Sequence, residues 1–156
     1  MKIKFKNSYT DIFLIFFLFY ISILIGFFLN EDSLGGAKRD FDHYFKISLL
    51  FAENFLKTFK EFDTSEAEVV TRNSPIFWII LSQISKFITY DYLRILNSSV
   101  SILICFYFFK CLKLRYKQIE DHILVLIACS IFLSPTIRSL SIWPYPLIWG
   151  LLFFTI

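Results

Sequence analysis

The chain has 156 residues, 56% of them hydrophobic, 21% aromatic and 19% charged, with a net charge of +3. A soluble domain averages about 45–50% apolar and about 25% charged residues, so this excess needs an apolar solvent larger than a small core, and a lipid bilayer supplies one. The basic residues are scattered, which excludes a nucleic-acid stripe, and Cys105, Cys111 and Cys129 lack C-x-x-C spacing, which excludes a disulfide framework or a zinc site.

In chain order, Lys2, Lys4 and Lys6 precede an uncharged run at residues 12–29, bracketed by Asp11 and by Asn30-Glu31-Asp32. That run is long enough to cross about 30 Å of hydrocarbon. Gly26-Phe27-Phe28-Leu29 leads into acidic residues rather than a cleavage site, so the run is expected to be a retained anchor and not a signal peptide. The positive-inside tendency then puts the N-terminus in the cytoplasm and the following segment on the outer face.

Residues 30–75 form the polar part, with nine acidic against six basic side chains and a turn at Gly35-Gly36. Within it, residues 41–62 alternate with helical periodicity. Apolar side chains at 41, 44, 45, 48/49, 52, 55, 56, 59 and 62 oppose Asp42, His43, Lys46, Glu53, Lys57, Lys60 and Glu61. This predicts an amphipathic helix lying along the outer interface, with Asp40 as its N-cap.

Four more apolar segments follow, at about residues 76–88, 95–109, 123–133 and 142–156. Each is shorter or more polar than the first, and Pro144 and Pro146 break the last at its start, where Trp143, Tyr145 and Trp149 suit an interfacial belt. The fold class expected is an all-α, polytopic helical membrane protein of three to five spans. The link at 110–122 carries Lys110, Lys113, Arg115 and Lys117 and favours the cytoplasm, yet strict alternation puts it outside. The conflict disappears if residues 76–88 do not cross. The chain stops inside an apolar run at Phe153-Phe154-Thr155-Ile156, which suggests the N-terminal part of a longer transmembrane domain.

The candidates for chemistry lie mainly in the outer segment: Glu31, Asp32, Lys38, Arg39, Asp40, Asp42 and His43. Acidic groups at a membrane surface can act as general bases or hold a divalent cation. His43 can serve as ligand or proton shuttle, or be simply solvated. Arg138, in Ser134-Pro135-Thr136-Ile137-Arg138, can grip a phosphate bidentately or snorkel to the interface. Gly35-Gly36 lacks the residues of a phosphate-binding loop.

This order of features resembles the N-terminal part of the GT-C class of polytopic glycosyltransferases, in its dolichyl-phosphate-mannose-transferase-like branch. The resemblance is carried by the long acidic outer loop after the first span, by Asn73-Ser74-Pro75-Ile76-Phe77-Trp78 opening the next apolar segment, by Arg94 before Ile95, and by Ser134-Pro135 closing the segment at 123–133. It implies transfer of a sugar from a polyprenyl-phosphate carrier to a glycan, lipid or protein acceptor at the outer face of a bacterial inner membrane. It also implies a catalytic acidic residue in the first outer loop, matched by Asp40 or Asp42, with Glu31-Asp32 less favoured beside the span. Arg138, Arg72 and His43 are then the residues expected to meet the substrate. The alternative is a non-enzymatic small integral membrane protein or assembly subunit whose acidic loop is only solvated.

Overall fold

A computed structural model describes residues 8–62 and 75–156, and every regular element among them is helical. Helix α1 (Ser8–Phe28) ends in a Schellman motif. Asn30 takes the left-handed conformation (φ 53°), its N–H donates to the Phe27 carbonyl, and the Glu31 N–H reaches back to Gly26 at 2.8 Å. The chain turns through Gly35 (φ 74°), and helix α2 (Ala37–Glu53) starts with the Ala37 N–H donating to the Asp32 carboxylate.

Asp32 therefore caps this helix. Asp40, expected in that role, lies inside its first turn. The amphipathic helix expected over 41–62 begins four residues earlier and is broken at Asn54. This residue is extended (φ −146°), gives its N–H to the Leu50 carbonyl, and accepts the Lys57 N–H with its side chain to start helix α3 (Phe55–Glu61).

Helix α4 (Ile76–Ile84) has nine residues, about 14 Å of rise, and is too short to cross a bilayer. It packs on α2, with Tyr44 stacked on Trp78 at 4.0 Å between ring centroids. Helix α5 (Tyr90–Arg115) is 26 residues long and extends the segment expected at 95–109 in both directions. Helix α6 (Asp121–Cys129) continues into a 3₁₀ turn (Ser130–Leu133). The chain then bends by 80° at Ser134-Pro135 into helix α7 (Pro135–Ile142). Pro144 and Pro146 separate α7 from helix α8 (Pro146–Thr155), dividing the segment expected at 142–156.

Helices α1 and α5 are long and apolar enough to cross a membrane, and α6 with α7 would make a third span if the bent pair is one. Only 17% of the apolar window of α1 is buried, so most of its Phe and Leu side chains face outward, as suits a helix in an apolar solvent. Contacts between α1 and α5 run in opposite order along the two helices: Phe16 meets Phe109, Tyr20 bonds Ser99, and Phe27 lies under Arg94. The pair is antiparallel. The end of α1, the start of α5, α7 and the α2–α4 layer thus gather at one end of the bundle, and the 110–122 link lies at the end where α1 begins.

A cluster of buried polar groups fastens α7 to α5. Pro144 has no N–H to give the Leu140 carbonyl four residues back. Asn97 supplies the missing donor, with Nδ2 at 2.8 Å from Leu140 O and 2.9 Å from Ser141 O, while its Oδ1 accepts the Trp149 indole N–H at 3.1 Å.

Candidate functional site at the end of the first helix

The Schellman turn delivers Glu31 to Arg138, 107 residues further along the chain. The guanidinium forks onto the carboxylate, Nε to Oε1 at 2.8 Å and Nη2 to Oε2 at 2.6 Å, and its other edge donates to the hydroxyl and carbonyl of Ser22. Gly26 makes the room: a Cβ there would lie 2.5 Å from Glu31 Oε2 and 2.9 Å from Ile142 Cδ1. The hydrogen bond from Arg138 is the main cause holding the Glu31 carboxyl at about 2. Burial opposes it, and the Ser33 hydroxyl and the Arg138 charge add to it.

Trp143 ties this pair to its surroundings. Its indole N–H donates to the Glu31 carbonyl at 2.9 Å, Phe41 lies at 6.4 Å, and the Arg94 guanidinium sits 3.8 Å from its ring centroid. Lys38, on the exposed side, approaches the same ring at 5.7 Å. The Ser139 hydroxyl accepts the Leu34 N–H and pins the 30–36 loop onto α7.

Of the residues singled out from the sequence, Asp40 is exposed and Asp42 half-buried on α2, where the Tyr90 hydroxyl donates to Asp42. Phe41 and Phe45 pack on the Tyr90 ring at 4.8 and 5.2 Å, holding that hydroxyl in place. His43 is exposed and flanks a shallow groove with Lys46, Leu50 and Glu53. Arg138 has its fork filled by Glu31. Arg72 lies outside the described residues. Among the described residues no three His, Cys, Asp or Glu side chains gather to hold a metal ion.

Arg94, Tyr90 and Trp143 complete the end of the bundle without having been read as site residues. One signal was available for Arg94, a charge at the head of a long apolar run.

The fold is thus all-helical among the described residues, with two helices of membrane-spanning length and a polar, aromatic-rich cluster at one end. Comparisons with protein-family models, with curated proteins and with solved structures give no match.

Proposed function

We propose that the chain belongs to a polytopic glycosyltransferase that takes a sugar from a polyprenyl-phosphate carrier on the outer face of a bacterial plasma membrane. The observation that supports it most is the seating of Asp42. This carboxylate is half-buried, oriented by Tyr90, and set in an aromatic layer at the end of the bundle opposite the basic 110–122 link. By the positive-inside tendency that link faces the cytoplasm, which directs Asp42 outward.

In this reading Asp42 removes the proton of an acceptor hydroxyl as its oxygen bonds to the sugar's anomeric carbon. The bond from that carbon to the carrier phosphate breaks on the opposite face, with inversion. Arg138 holds Glu31 and the 30–36 loop in place rather than gripping the phosphate. A positioned general base contributes about 10²–10⁴ in rate. Asp42→Asn is therefore expected to lower sugar transfer by at least about a hundredfold in membranes of cells expressing the open reading frame that contains this chain. Protein abundance should be unaltered, and Asp40→Asn should leave transfer nearly intact. Full transfer by Asp42→Asn would refute the assignment.

A second reading, a non-enzymatic membrane subunit, is favoured by one feature. Glu31, Asp32 and Asp42 each have a partner within the fold, as structural residues would.

A further inference from the structure

We propose that the basic link between α5 and α6 binds the headgroups of anionic phospholipids, at the end of the bundle where α1 begins. The inference stands apart from sugar transfer and from Asp42, which lies at the other end.

Length sets the level of the link. Helix α5 has 26 residues, a rise of about 39 Å against about 30 Å of hydrocarbon. Its last turn and the residues that follow therefore emerge among the headgroups. Lys110, Lys113, Arg115 and Lys117 fall within this stretch, a density of cations that attracts an anionic lipid surface. The negative end of a helix accounts for Lys113 and Arg115, which stand in the last turn. Lys110 precedes that turn and Lys117 lies beyond the helix, so the helix end does not account for them.

The carboxylates of the link are already engaged. Asp121, in the first turn of α6, accepts a hydrogen bond from the Lys113 ammonium at 2.6 Å, and Glu120 lies 3.3 Å from His122 Nε2. Lys110, Arg115 and Lys117 are all exposed, and among the described residues no carboxylate pairs with any of them. Three cations are thus left for an external anion.

The apolar neighbours favour a lipid surface as that anion. Leu114, Tyr116 and Ile119 alternate with the cations and are 74%, 47% and 36% exposed. At a membrane interface Leu and Ile reach the acyl boundary while Tyr keeps its hydroxyl among the headgroups. An anionic lipid satisfies both the charge and the apolar surface, whereas a soluble acidic segment answers the charge alone.

The test is lipid selectivity of the full chain in vesicles of equal parts phosphatidylcholine and phosphatidylglycerol. Electron paramagnetic resonance compares spin-labelled forms of the two lipids at the protein surface. Wild type is expected to favour phosphatidylglycerol by at least about fivefold, the contribution of a single surface cation. Lys110→Gln, Arg115→Gln and Lys117→Gln made together should bring the preference close to parity. The charge-keeping set Lys110→Arg, Arg115→Lys and Lys117→Arg should retain it, which separates loss of charge from loss of fold. Lys38→Gln, Arg39→Gln and Lys46→Gln remove equal charge from α2, where Asp32, Asp40 and Asp42 are interspersed, and should also leave the preference in place. Undiminished preference in the first set, or an equal loss in the α2 set, would overturn the site. If the first set does not fold, salt decides: a wild-type preference that persists at about 1 M salt, where charges are screened within about 3 Å, overturns it. Soluble polyglutamate that displaces phosphatidylglycerol at equal charge concentration would overturn the lipid as occupant.

Discussion

Glu31 gathers hydrogen bonds from Ser33, Arg138 and Trp143 at this end of the molecule. Its carboxyl, held at about 2 when folded against 4.5 as a free side chain, contributes stability that is complete above about 4.5. That contribution is lost as the pH falls toward 2. A plot of thermal unfolding temperature against pH in detergent micelles is expected to fall through that window, and the fall should be absent in Glu31→Gln. The same variant leaves Arg138 facing a neutral amide in a setting where both side chains are three-quarters buried. It should cost about 2–3 kcal/mol at neutral pH. Local pattern in the sequence singled out Arg138, an arginine between apolar runs, but set Glu31 aside for lying close to the first span. The reason is physical: the pair is separated by 107 residues, and periodicity carries no information about which end of a bundle two segments will share. Asn97 escaped for the same cause, since the carbonyls it serves exist only once Pro144 has broken α7 away from α8.

At the scale of elements, the end of α1 acts as a unit: Gly26 leaves space, Asn30 turns the chain, and Glu31 enters the space. Gly26→Ala is expected to destabilise the protein by about 1–2 kcal/mol by pushing the carboxylate off Arg138. Most of that cost should vanish in a Glu31→Ala background, because the atoms it strikes first are then gone. A double-mutant cycle of unfolding free energies measures the difference, and additive costs would show that Gly26 has no part in the pair. Asn97→Leu removes two donated bonds and one accepted bond between α5, α7 and α8, and should cost about 2 kcal/mol by the same assay. The apolar periodicity made α2 legible but not its end, because the apolar spacing runs on unbroken through residue 54. Asn54 is a helix-starting residue, yet Lys57 stands where a capping box has Glu or Gln. The two prolines before α8 could be read directly, whereas the 80° bend at Ser134-Pro135 depends on α7 being drawn down onto α5 by Asn97 and Ser98.

For the whole molecule, the decisive feature is which helices cross. With α4 only nine residues long and packed on α2, α1 and α5 are the two helices of membrane-spanning length and run antiparallel, as successive crossings would. The basic link at 110–122 then returns to the side from which α1 starts. The charge pattern and the crossing order agree in this arrangement, whereas treating residues 76–88 as a span set them against each other. The arrangement predicts that Lys38→Cys and Lys117→Cys, each made with Cys111→Ser so that the one exposed native thiol is gone, lie on opposite sides of the membrane. A membrane-impermeant maleimide applied to intact cells should label Lys38→Cys and should reach Lys117→Cys only after the membrane is permeabilised. The two positions are sensitive to α4 alone. If that segment crossed, one more passage would separate α1 from α5, both cysteines would face the same side, and equal labelling on intact cells would show it. Composition could point to an apolar solvent, because excess apolar surface is a sum over residues, and the two helices of membrane-spanning length agree with it. The crossing order could not be settled that way, because it turns on whether a short apolar helix has a better place to bury its Trp78 face than in lipid, and here the aromatic face of α2 provides one.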